Sequence, residues 1–297
     1  MKTIIVAPGQ GSQSAGFLEP WLNDVSGFSK LISNYSEVVE LDLISLGTTA
    51  DEETIRDTAI AQPLIVAASL ASYRSMPQRE IFGVAGHSVG EFTAAAIAGV
   101  LSDEDALKMV SVRAKAMARA ASEVDTSMAA VIGGDSDEVI SELTAVDLVG
   151  ANFNGAGQIV AAGLSSNIQR LIDNPPAKTR VIELKVAGAF HTSFMQSASD
   201  ELEQFSEQLS PNDPKIPLWS NESGQVVESG AEFLRLLVHQ VANPVRWDIL
   251  MNNFKGLDAE LIELLPAGAL SGLLKRGVED CRTVPLRSPQ DFEKVSQ

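Results

Sequence analysis

The sequence predicts an α/β protein in which a body with a parallel sheet, Met1–Glu123 plus Ala187–Gln297, is interrupted by a small α+β subdomain over Val124–Val186. Three observations carry that prediction. Short apolar runs at Ile4–Ala7 and Ile81–Gly86 each stop at a glycine-bearing turn, the mark of strands buried on both faces. The middle of the chain changes rhythm to strand, helix, strand, strand, helix, strand. After it the chain returns to longer helices separated by isolated short strands.

Taken in order, Ile4–Ala7 is a first strand ended by Pro8-Gly9, and "AQPLIVAASLASYRSM" is a helix with Pro63 near its first turn. The strand "IFGVAG" runs into "GHSVGE" and then into "EFTAAAIAG", an alanine-rich helix that Gly99 can cap. "LSDEDALKMVSVRAKAMARAASE" is the clearest helix. Ser102 suits its N-cap, and Asp103, Glu104 and Asp105 suit its positive end. The insert reads as strand "SMAAVIGG", helix "SDEVISELT", strands "DLVGANF" and "QIVAAGL" around "NGAG", helix "SSNIQRLID" and strand "TRVIELKV", a ferredoxin-like order. "TSFMQSASDELEQFSEQL" is then a helix and "KIPLWSN" holds a short strand. "EFLRLLVHQVANPVRWDILMNNF" is two helices broken near Pro244, and "AELIELL" and "RTVPLR" are strands.

Composition narrows the function classes. The 297 residues are 45% hydrophobic and 21% charged, which suits a globular domain with a sizeable core. A net charge of −17 without a basic run argues against nucleic acid as a partner. No apolar stretch is long enough to span a bilayer, and the opening run stops too soon for a signal peptide, so a cytoplasmic location is expected. A single cysteine, Cys281, rules out an internal disulfide. Nothing near it in sequence supplies a base, so it reads as an inert thiol. No metal site is expected.

The chemistry centres on Ser88. Glycine, any residue, serine, any residue, glycine between a strand and a helix sets a serine on a sharp turn with its hydroxyl exposed. A neutral hydroxyl needs a base and an oxyanion site. Only His87, His191 and His239 are available as base. His87 adjoins the serine and would point elsewhere, and His239 lies in a helix among apolar residues. His191, in "VAGAFHTSFM", stands at a strand-to-helix junction, where side chains face the cleft at strand ends. No acid stands out to orient it, and a backbone carbonyl can serve instead. Backbone N–H groups of Val89, after the nucleophile, and of Gln10, in the glycine-bearing loop "PGQGSQ", are the candidate oxyanion donors. Ala106, Val110, Arg113, Met117 and Ala120 form one helical stripe, apolar except for the arginine. Arg113 is then either in an internal ion pair, or snorkelling, or a fixed fork for a substrate carboxylate.

Together "APGQGSQ", "GHSVGE", "VRAKAM", "NFNGAGQIVAAG", "GAFHT" and "HQVANPVRW" resemble, in order and spacing, the malonyl-CoA:acyl carrier protein transacylase family, FabD-type, in its actinobacterial form. The resemblance covers nearly the whole chain. It implies a hydrolase-like α/β large subdomain with a ferredoxin-like small one, and ping-pong transfer of malonyl from coenzyme A to a carrier-protein thiol for fatty-acid or polyketide synthesis. It implies Ser88 as nucleophile, His191 as base, the Gln240 carbonyl as its orienter, Gln10 and Val89 at the oxyanion, Arg113 on the malonyl carboxylate and Phe190 beside the acyl group. It implies a monomer with no cofactor, malonyl-CoA being a substrate. One departure stands out: Leu265 and Ala267 in Leu265-Pro266-Ala267-Gly268 replace expected glycines. The runners-up are a serine hydrolase and a non-catalytic carrier-docking module. An acidic carrier would call for a basic patch, with Lys178, Arg180 and Lys185, or Lys275 and Arg276, as candidates.

Overall fold

The structure, a computed structural model, describes residues 1–295. The first stretch runs β1 (Lys2–Ala7), α1 (Glu19–Asp24), α2 (Phe28–Val39), α3 (Leu43–Thr48), α4 (Thr58–Ser75), β2 (Gly83–Gly86), α5 (Gly90–Ala98) and α6 (Asp103–Glu123). Next come β3 (Thr126–Gly133), α7 (Ser136–Ala145), β4 (Val149–Gly155), β5 (Gln158–Leu164), α8 (Ser165–Asp173) and β6 (Thr179–Glu183). The chain closes with α9 (Gln196–Ser206), β7 (Leu218–Trp219), α10 (Gly230–His239), α11 (Trp247–Asn252), β8 (Ala259–Glu263), α12 (Ala269–Gly277) and β9 (Arg282–Pro285).

Five strands form a wholly parallel sheet in the order β7-β2-β1-β8-β9. Ile4–Ala7 of β1 are fully buried, as a central strand covered on both faces requires. Strand order reverses on either side of β1, so the carboxyl ends of β1 and β2 border a crevice suited to a ligand. Gln10 follows the first of these ends and Ser88 the second.

The other four strands form an antiparallel sheet ordered β4-β5-β3-β6, the ferredoxin-like order. One face buries Ala129, Val131, Ile159 and Ala161 against Val139 and Leu143 of α7 and Ile168 and Leu171 of α8. The opposite face turns Met128, Val160 and Leu184 towards the large subdomain. Beyond the two chain crossings, Val245, in the loop before α11, ties β4 to the large subdomain: its N–H donates to Ala151 O at 2.9 Å and its carbonyl accepts from Phe153 N at 2.9 Å.

Several local readings need correction. Helices α1 to α3 fill a region to which no element was assigned, although Phe28, Ile32, Tyr35 and Val39 form a buried stripe on α2. Helix α4 begins at Thr58 because the Asp57 side chain caps it, accepting from Ala59 N at 2.7 Å, so Pro63 lies inside the helix. Strand β6 ends at Glu183, which puts His191 in a loop rather than at a strand end. Helix α12 was missed. Its first N–H groups, on Leu270 and Ser271, donate to the Glu263 carboxylate at 2.9 and 2.8 Å. That contact and the Ser69 hydroxyl on Leu265 O, at 2.6 Å, hold the Leu265-Pro266-Ala267-Gly268 turn, none of which lines the cleft.

Candidate active site

A cleft of about 510 Å³ opens between the parallel sheet's carboxyl edge and the antiparallel sheet. Ser88 sits on its floor with φ at 51°, the left-handed turn that lifts a nucleophile between strand and helix. The turn works only with glycine on either side. A Cβ on Gly86 would lie 2.1 Å from the Gly90 carbonyl carbon, and one on Gly90 would lie 2.3 Å from Ala7 O. The Ser88 N–H donates to Asn221 Oδ1 at 2.7 Å, and Asn221 Nδ2 donates to Gly86 O at 2.6 Å, so the turn is braced from β7's end.

His191 lies 103 residues further on and has positive φ as well, 61°. Its Nε2 is 2.8 Å from Ser88 Oγ, and its Nδ1 is 2.7 Å from the Gln240 carbonyl. A carbonyl only accepts, so Nδ1 carries the proton and Nε2 presents its lone pair to the serine hydroxyl. Burial, joined by the Arg113 charge, pulls the His191 imidazole down to about 3, so the resting ring is neutral and its Nε2 lone pair is free to accept from the serine hydroxyl. Ser88 and His191 are both buried.

Arg113 is 1% exposed. Its Nη1 donates to Gln62 Oε1 at 2.7 Å, and its Nη2 donates to Gln240 Oε1 at 3.0 Å and to Ser88 Oγ at 3.3 Å. Its Nε is buried without a hydrogen-bond partner. Among the described residues no carboxylate forms an ion pair with it, which removes the internal salt bridge and the snorkelling side chain as readings. Burial lowers the guanidinium to about 9, opposed by the charge of Glu91. It is a cation held by neutral acceptors beside the nucleophile, the setting in which an incoming anion is most strongly attracted.

Gln10 and Phe190 line the same cleft. The Gln10 side chain is pinned by Thr58 Oγ1 and Gln62 Nε2, each at 3.2 Å. Val89 is fully buried and is the N-cap of α5, its side chain in the core and its N–H at the positive end of the helix. His87 faces Asn154 Oδ1 at 3.0 Å and stacks edge-on with Trp247, away from the serine hydroxyl. His239 stands half-exposed at 3.3 Å from Glu222. Cys281 donates its thiol hydrogen to Phe254 O, and burial raises its pKa. Of the basic candidates Lys185 lines the cleft, whereas Lys178, Arg180, Lys275 and Arg276 do not.

Gln62, Asn221 and Glu91 were missed by the sequence reading. The signal was there for two: Glu91 is the lone charge in an alanine-rich helix, and Gln62 is a polar side chain in an apolar one. Burial pushes the Glu91 carboxyl up to about 8, against the Asn221 N–H, the Gln240 amide and the Arg113 charge. Among the described residues no three His, Cys, Asp or Glu side chains are grouped to hold a metal. No helix among them is long and apolar enough to cross a membrane.

A doubly glycine-flanked serine, a neutral histidine on its hydroxyl and a buried cation beside them define an enzyme that works through an acyl-serine. The chain belongs to the acyl transferase domain family, which it matches over residues 4–290, and within it to the malonyl CoA-acyl carrier protein transacylases. It is 44% identical over 298 residues to the malonyl CoA-acyl carrier protein transacylase of Mycobacterium tuberculosis, covering 98% of each chain. The crystal structure of MCAT from Mycobacterium tuberculosis superposes with a TM-score of 0.94 at 43% identity over 99% of both chains. A second solved structure, a type II PKS acyl-carrier protein in complex with its malonyl-transacylase, gives a TM-score of 0.92 at 28% identity, covering 99% of this chain and 98% of that one.

Proposed function

We propose that this acyltransferase moves a malonyl group from malonyl-CoA to the phosphopantetheine thiol of an acyl carrier protein, in the cytoplasm, as a monomer and without a bound cofactor. The observation that carries the reading is Arg113 Nη2 at 3.3 Å from Ser88 Oγ in a buried site with no carboxylate paired to it among the described residues. A malonyl thioester presents a carboxylate two carbons from the carbonyl under attack, which suits that pairing. The names of the relatives, and the carrier protein bound to one of them, support both donor and acceptor.

Ser88 Oγ attacks the thioester carbonyl while His191 Nε2 takes its proton. The Gln240 carbonyl holds the imidazolium's Nδ1–H, and the N–H groups of Gln10 and Val89 receive the oxyanion. Collapse expels the coenzyme A sulfur, which leaves with the proton from Nε2. The carrier's thiol then gives its proton to Nε2 and attacks the malonyl-serine ester. The second tetrahedral adduct releases Ser88, which regains the proton. Lys185, exposed at the cleft, is the basic residue best placed to meet an acidic carrier.

Intact mass after incubation with malonyl-CoA, and then with pantetheinylated carrier protein, tests this reading. A malonyl adduct that forms on the enzyme and moves to the carrier supports it. Steady release of free malonate without an acceptor identifies a hydrolase, and no adduct at all leaves only a docking module.

A further inference from the structure

We propose that Glu91 is a positioning residue for acyl selection: its carboxylate fixes which way the Gln240 amide faces and, through that amide, where the Arg113 guanidinium points. The proposal rests on the malonyl reading above and names a residue with no part in the proton transfers. Glu91 lies in the first turn of α5, 1% exposed, and no cation pairs with it directly among the described residues. One oxygen accepts from the Asn221 backbone N–H at 2.7 Å, and the other accepts from Gln240 Nε2. At its other end the same amide accepts from Arg113 Nη2 through Oε1 at 3.0 Å.

An amide has one donating end and one accepting end. A guanidinium only donates and an ionised carboxylate only accepts, so once Glu91 is ionised it and Arg113 over-determine the orientation of Gln240. The Gln240 backbone meanwhile holds His191, and Nε2 also reaches Ser88 O at 3.2 Å. One residue, through its side chain and its backbone carbonyl, therefore links the residue that selects the acyl group to the two that react with it.

Glu91→Gln breaks the logic at one point. The backbone N–H of Asn221 keeps the new carbonyl oxygen, so the new NH₂ meets the NH₂ of Gln240. If Gln240 turns over to relieve this, its NH₂ faces Arg113 instead. Either way the conflict reaches the guanidinium, while the backbone bond from Gln240 O to His191 survives. Loss of a hydrogen bond to a charged group corresponds to about 10- to 100-fold. The substrate carboxylate does not itself react, so the loss falls mainly on KM.

The test measures kcat and KM for malonyl-CoA and acetyl-CoA with the full chain and pantetheinylated carrier protein, between about 8 and about 9 in pH, where Glu91 is mostly ionised and Arg113 mostly charged. Glu91→Gln is expected to lose about 10- to 100-fold in kcat/KM for malonyl-CoA and less than about threefold for acetyl-CoA. Gln240→Leu, which keeps the backbone carbonyl but loses the amide contact to Ser88 O, is expected to lower kcat/KM for both thioesters and for malonyl-CoA by the larger factor. The double variant should lose no more malonyl preference than Gln240→Leu alone, because no amide is left to misdirect. Proportional losses for both acyl groups, or a folded Glu91→Gln with wild-type preference, overturn the proposal. Should Glu91→Gln fail to fold, an unchanged preference in Gln240→Leu overturns it equally. A wild-type enzyme without malonyl preference refutes the parent reading instead, and that control separates the two failures.

Discussion

The two walls of the cleft are built by opposite means. The large-subdomain wall sets Gln62, Ser88, Arg113 and His191 in a buried polar network that draws on α4, the β2–α5 turn, α6 and two later loops. The small-subdomain wall offers apolar side chains, Met128 and Val160 on the antiparallel sheet and Leu184 just past β6, with Asn152 and Asn154 on the edge strand. Polar networks in low dielectric fail steeply when one member is removed, whereas apolar surfaces fail by degrees. The first wall should therefore decide whether and on what the enzyme acts, and the second only how tightly it holds.

The sharpest way to break that contrast is Ser88→Ala, expected to abolish the malonyl adduct in intact-mass measurements. A persisting adduct would move the chemistry off this wall altogether. Next comes Arg113→Ala. Stranding an anion in a dry site costs about 3–5 kcal/mol, so malonyl transfer should fall by about two to four orders of magnitude while acetyl transfer survives. Parallel kinetics with both thioesters check this, and equal losses would deny the guanidinium its selecting role.

Third is the acid limb of stability. The folded value of His191 is lowered to about 3 from 6.5, so the unfolded chain binds a proton that the folded chain refuses. The His191 contribution is intact above pH 6.5 and is lost as pH falls towards 3. Between pH 6.5 and about 4 this amounts to a few kcal/mol. Denaturant titrations of His191→Asn should show a shallower acid slope. It will not be flat, because burial also lowers His87. The smallest effect belongs to the opposite wall: Leu184→Ala should raise KM by about tenfold or less and leave kcat unchanged. A fall in kcat there would show that the sheet wall shares in the chemistry.

What could be read from the sequence follows the same division. Ser88 was legible because its glycines are steric necessities, and Arg113 because a charge on an apolar stripe breaks a periodic pattern. The ferredoxin-like insert was legible because short strands and helices alternate there without interruption. Glu91, Asn221 and Gln62 were not read as functional, because their roles come from contacts with residues 130, 133 and 51 positions away. No local pattern encodes such pairings. Helices α1 to α3 were overlooked for a different reason: two are only six residues long, too short for helical periodicity to stand out.

An insert joined to its host at two points can swing like a door, but the Val245 stitch gives this one a third point of attachment. Coenzyme A and carrier arms then share one doorway, and the acyl group left on Ser88 by the first is what the second comes to collect.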